Sequence, residues 1–156
     1  MVTPKQNTAA AAPPAIDEEA IERAELALKT MANNFESWID EEVKLLSAAR
    51  DALAQNGISQ AAIDMLSHRA HDLKGQGTTL NFPFVTKVAE QLCRICEHLP
   101  SAEELPLALV EAHVDAVRAI VRDGLRGDSD ATGKALVGAL SERVGETLSL
   151  WRKKTG

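Results

Sequence analysis

Two histidines, a lysine and a glycine lie close together at His68, His71, Lys74 and Gly75. A neutral imidazole nitrogen is a competent nucleophile near neutral pH, and an exposed ring reacts without a large desolvation penalty. On a helix turning about 100° per residue, Ser67, Lys74, Gly75 and Thr78 share a flank with His71, with Lys74 one turn later and Gly75 directly above at i+4. Lys74 would place a positive charge within reach of a phosphoryl group carried on His71. Gly75 in mid-helix costs about 1 kcal/mol against Ala. Its missing side chain offers a return, because another protein's loop could then approach the ring closely. The chemistry these residues suit is acceptance and return of a phosphoryl group.

That chemistry requires the ring to face outward, which depends on the helix that carries it. From Ser59, a good N-cap residue, apolar positions recur at Ile63, Leu66, Ala70, Leu73, Gly77 and Leu80, a three-four spacing that predicts a helix ending at Asn81 with Pro83 just beyond. His71 is turned from the centre of this stripe by roughly 130°, toward solvent or a helix edge. Gly77 falls on the stripe itself, where it suits close packing against a neighbouring helix.

The rest of the chain supplies partners for such a helix. It has 156 residues, 45% hydrophobic and 26% charged, with 3% aromatics and no Tyr. Ala and Leu dominate, which favours an all-α fold with one compact domain. Residues 1–16, with Pro4, Pro13 and Pro14, carry no periodicity and read as a disordered tail. Residues 17–32, opened by Asp17 and marked by Ile21, Leu28 and Met31, read as an N-terminal helical extension. Asn33-Asn34 either breaks this helix or is absorbed into a longer one, which continues through Phe35, Ile39, Val43, Leu46, Ala49 and Leu53 to Asn56-Gly57.

Beyond Pro83, a helix with Val85, Val88, Leu92, Ile95/Cys96 and Leu99 is ended by Pro100. The next is opened by Ser101, with Pro106 in its first turn and Val110, Val114, Val117, Val121 and Leu125 as its stripe. Residues 127–156 read as a C-terminal extension whose helix carries Val137, Leu140, Val144, Leu148 and Trp151. Short connections make neighbours antiparallel, so residues 33–126 are expected to form an up-and-down four-helix bundle with an additional helix at each end.

The formal net charge is −6, with no run of basic residues, which argues against nucleic acid or an anionic membrane as partner. No apolar stretch is long enough to span a bilayer, and the start lacks a signal peptide's pattern, so the expected location is cytoplasmic. Neither a phosphate-cradling Gly-rich loop nor a Gly-x-Ser-x-Gly elbow occurs.

The run Ala70-His71-Asp72-Leu73-Lys74-Gly75 resembles the His-x-Leu-Lys-Gly signature of histidine-containing phosphotransfer (HPt) domains. The resemblance covers about residues 33–126 in helix order, and its specific part is this motif. It implies a four-helix bundle whose histidine relays phosphoryl groups to or from the aspartate of receiver domains, in response regulators or hybrid histidine kinases. By that resemblance His71 is the phospho-acceptor, Lys74 its electrostatic partner and Gly75 the clearance position, with Ser67, His68, Gln76 and Thr78 around them as partner surface. The protein would be a carrier rather than an enzyme with its own ATP site. It would need no intrinsic cofactor or metal, Mg²⁺ belonging to the receiver. Three positions depart from the family pattern: Asn81 where Gly usually ends the helix, Gln76 for a small residue, and Cys93 where a polar residue often supports the histidine.

Other readings compete with this one. A non-catalytic helical adaptor that binds a partner without phosphoryl transfer would use the same bundle. His68, His71, Cys93 and Cys96 have the spacing of a four-ligand zinc site, but Cys96 is expected to point inward and His68 outward. Cys93-Arg94-Ile95-Cys96 has the form of a thiol redox motif without the strand such motifs follow. His98 and His113 read as structural, and Trp38 and Trp151 as residues that tie the outer helices down.

Overall fold

The computed structural model describes residues 17–155, so the tail expected over residues 1–16 lies outside the described residues. All regular structure in the described chain is helical. The helices are α1 (Glu18–Asn56), α2 (Gln60–Gln76), α3 (Pro83–His98), α4 (Leu107–Asp123) and α5 (Ala131–Thr155), with a short 3₁₀ turn at Ala102–Glu104 between α3 and α4. Asn33-Asn34 is absorbed, and one 39-residue helix replaces the two separate stretches. Asn is only a weak helix breaker when good formers flank it on both sides, as Met31-Ala32 and Phe35-Glu36 do here.

The chain divides into two compact units, Met1–Phe35 and Glu36–Gly156. The described part of the first is the opening half of α1, on which Ile21, Leu26, Leu28, Met31 and Phe35 are all exposed. The second contains every buried residue of the described chain.

In the second unit α3 is the central element, packed against α2, α4 and α5. It runs antiparallel to α2, since Gly77 meets Thr86 at one end and Ser67 hydrogen-bonds Cys96 further along. It runs parallel to α5, whose Gly133 lies on Phe84 while Val137 accepts from Gln91. Its central place explains why Phe84, Val85, Val88, Ala89, Leu92 and Ile95 are all buried, a wider apolar face than an outer helix requires. Ile39, Leu46, Ala49 and Leu53 of α1 close the core, and ion pairs Arg50–Asp115 (3.3 Å) and Arg126–Glu36 (3.2 Å) link α1 to α4 and the loop after it.

Several helix ends differ from the pattern read in the sequence. Helix α2 stops at Gln76, not Asn81. Residues 77–82 form a turn in which the Phe82 amide donates to the Gly77 carbonyl at 2.7 Å and Asn81 takes a left-handed conformation with φ 67°. Asn can occupy that region because its short polar side chain lowers the penalty. Helix α4 starts at Leu107, not Ser101, because Pro106 can cap a helix but cannot continue one from the preceding 3₁₀ turn. It ends at Gly124, whose φ of 65° lets its amide reach the Ile120 and Val121 carbonyls.

Candidate functional site

Helix α2 is set by its cap and its stripe. The Ser59 hydroxyl accepts from the Ala62 amide at 3.2 Å, and Ile63, Leu66, Ala70 and Leu73 are buried against the core. With that stripe inward, His71 is exposed, as its place on the wheel requires. No hydrogen bond or ion pair engages the His71 ring. His68, one turn earlier, is also exposed, but its Nε2 lies 3.5 Å from the Asp72 carboxylate, which Arg69 also approaches at 3.9 Å. Asp72 thus lies beside one histidine of the pair and not the other.

The flank of α2 beside His71 faces the cysteine edge of α3. Lys74 is half-buried, and its ammonium acts electrostatically on the Cys93 thiol. Burial pushes the Cys93 pKa up, and Lys74 opposes that rise. Cys96 is pushed up to about 12, chiefly by burial and further by its neighbour Cys93, against a hydrogen bond from Ser67. Both thiols are therefore protonated and poorly reactive near neutral pH. Cys96 is partly buried and packed against the core, as expected, and Cys93 is buried as well at 3% exposure, because α3 is covered on the α2 side too.

The two nearby glycines differ. A Cβ on Gly75 would have nothing within 4 Å, so the surface one turn above His71 is bare backbone facing open space. A Cβ on Gly77 would meet the Thr86 side chain and come within 2.9 Å of the Thr86 amide nitrogen. Gly77 therefore does serve close helix packing. Thr78 is exposed and shares a 3.0 Å hydroxyl hydrogen bond with Thr86 across the turn. Gln76 is only half-exposed, and its Oε1 is buried without a hydrogen-bond partner.

The residues read as structural differ in their surroundings. His113 is 0% exposed, with Nδ1 2.7 Å from the Leu109 carbonyl and Nε2 3.2 Å from Gln91 Oε1. The Gln91 amide in turn donates to the Val137 carbonyl at 3.4 Å, so this polar chain joins α4, α3 and α5. Burial lowers the His113 pKa, with the Leu109 carbonyl opposing. Trp38 is 54% exposed and ties nothing down, whereas Trp151 is 7% exposed and is packed into the core. The Gln91–His113 pair carried one signal in sequence, a polar side chain on or beside an apolar stripe in each of two helices, but the pairing needed the tertiary structure.

A cavity of about 890 Å³ lies away from His71. It lies between α1 and α4, where Glu36, Asp40 and Asp115 face Arg118, Arg122 and Arg126 across an apolar floor. Among the described residues no cluster of three or more His, Cys, Asp or Glu could hold a metal ion, and no helix is long and apolar enough to cross a membrane. Comparison with family models, curated proteins and solved structures finds no match to this chain.

Proposed function

We propose that this protein is a histidine phosphotransfer carrier in which His71 exchanges a phosphoryl group with the aspartate of a receiver domain. The observation that carries this reading is the combination at one flank of α2: an exposed, unengaged imidazole, a lysine three residues on, and open backbone at Gly75. The His71-Asp72-Leu73-Lys74-Gly75 run, which resembles the HPt signature, supports it, as does the packing of α2 and α3 with α4 and the buried half of α1 in a helical bundle.

In the transfer step a lone pair on one ring nitrogen of His71 attacks phosphorus. The bond from phosphorus to the aspartate oxygen breaks, and its electron pair leaves as the carboxylate. The other ring nitrogen keeps its proton, so the product is a phosphorylated imidazolium. Such in-line transfer depends on positioning and charge neutralisation more than on covalent chemistry from the protein. Lys74 supplies one positive charge from this side, and the receiver supplies its own metal and carboxylates. Gly75 admits the receiver's loop. The departure at Cys93 sets the neighbouring support apart from the family pattern, since a buried, protonated thiol stands where a polar side chain is usual.

Incubation with a phosphorylated receiver domain tests the reading. Acid-labile, base-stable label is expected on His71 and absent from His71→Gln. Label that persists in His71→Gln would move the acceptor elsewhere. No label in the wild-type protein with any receiver offered would leave the adaptor reading in its place.

A further inference from the structure

The opening half of α1 carries an apolar stripe with nothing on it. Ile21, Ala24, Leu28, Met31 and Phe35 follow one another at steps of three, four, three and four residues. All five are exposed, Leu28 at 65% and Met31 at 51%. A step pattern averaging 3.5 residues is the repeat of a two-helix coiled coil, in which each side chain of the seam fits between residues of a facing helix. Large apolar side chains grouped on one exposed face mark an interaction surface, whereas a single one such as Leu26, on the opposite side of the helix, needs no partner. The segment is part of one 39-residue helix, so pairing needs no new helix nucleation.

The seam is complementary to itself. Laid antiparallel on a second copy, Ala24 faces Phe35 and Leu28 faces Met31, so the smallest residue of the stripe meets the largest and the central layers are matched in size. The residues bordering the seam raise no charge conflict in that arrangement. Glu25 lies across from Ala32 of the second copy and Ala27 across from Asn34, while Glu18 falls beyond the overlap. Glu19, Glu22 and Arg23 belong to the far side of the helix, where Arg23 approaches Glu19 at 4.0 Å. The stripe is about 21 Å long, and two of them together bury on the order of 1,000 Å², which is the lower end of what a specific interface needs and corresponds to a weak dimer.

We propose that the opening half of α1 pairs antiparallel with the same segment of a second copy of this chain, forming a short two-stranded coiled coil with Leu28 and Met31 at its centre. Such a symmetric contact buries the same patch on both copies and closes the assembly at two.

Sedimentation equilibrium of the full chain from about 1 to about 500 μM tests this. A concentration-dependent rise from the monomer mass of 16.8 kDa toward twice that value is expected. Leu28→Glu and Met31→Glu should each weaken association tenfold or more, and Leu26→Glu should leave it unchanged. Far-UV circular dichroism under dilute conditions checks that each variant keeps its helix content. Ala32→Lys sets a lysine across from Glu25 of the second copy at two symmetric places and should tighten association about threefold, whereas Ala32→Glu should weaken it. His71→Gln should dimerise as the wild type does, which keeps this test apart from that of the phosphoryl reading. A chain that stays monomeric throughout the range overturns the proposal, as does association unaffected by Leu28→Glu. Equal association of both Ala32 variants and the wild type overturns the antiparallel pairing.

Discussion

His71 and His113 are the same side chain in opposite surroundings. His71 is exposed and unengaged, one turn below bare backbone. His113 is sealed at 0% exposure, with both ring nitrogens within hydrogen-bonding distance of Leu109 and Gln91. One ring is free to react and contributes little to stability, while the other helps specify how three helices meet and is closed to any reagent. Residue type alone does not distinguish them. What separates them is the roll of the helix, fixed in each case by its apolar stripe.

The largest effect expected from this contrast is on transfer. His71→Gln should abolish receiver-dependent labelling, a loss of at least a hundredfold, while thermal stability changes by no more than about 0.5 kcal/mol, as for other exposed positions. Parallel labelling and melting measurements check it, and His68→Gln is expected to keep the label. The reverse pattern is expected for His113→Ala. Removing a buried ring and leaving Gln91 without its partner should destabilise by about 3 kcal/mol in denaturant unfolding, with labelling retained in the folded fraction.

The same contrast recurs in two glycines. Gly77→Ala should destabilise by about 2 kcal/mol, because its Cβ would have to displace Thr86, including backbone. Gly75→Ala has open space and should stabilise by up to about 1 kcal/mol by helix propensity, yet lower the rate of transfer from a receiver by narrowing its approach. Should Gly75→Ala transfer at the wild-type rate, the clearance role is lost.

The pH dependence of stability sharpens the contrast further. Burial holds the His113 pKa below its ordinary 6.5. The unfolded chain therefore binds a proton here that the folded chain does not, so the contribution is complete above about pH 6.5 and is lost as pH falls below it. The loss should be no steeper than about 1.4 kcal/mol per pH unit. Urea midpoints across that range should show a slope that is reduced in His113→Leu.

Much of the helix pattern was legible from local rules. The Ser59 cap, the stripe of α2 and the tolerance of Asn81 for a left-handed conformation all follow from a residue's own chemistry and its neighbours three and four positions away. Helix ends were read less well. Where α2 and α4 stop or start depends on how the 77–82 turn and the 3₁₀ segment close against other elements, which periodicity does not encode. At the candidate site, the outward direction of His71 was readable from the wheel. The approach of His68 to Asp72 is also an i,i+4 relation and was readable in the same way, since His71 has Gly75 at that position.

By itself, then, the sequence determined the helical character of the described residues, the flank of α2 bearing His71, Lys74 and Gly75, and the packing role of Gly77. Only the tertiary structure decided which helix is central. That choice rolled Cys93 inward, buried His113 against Gln91, and sank Trp151 while leaving Trp38 in solvent. The physical reason is that a stripe repeating every three to four residues defines one buried face of a helix, whereas the number of neighbours a helix must cover, and hence the width of that face, is set by the packing of the whole bundle.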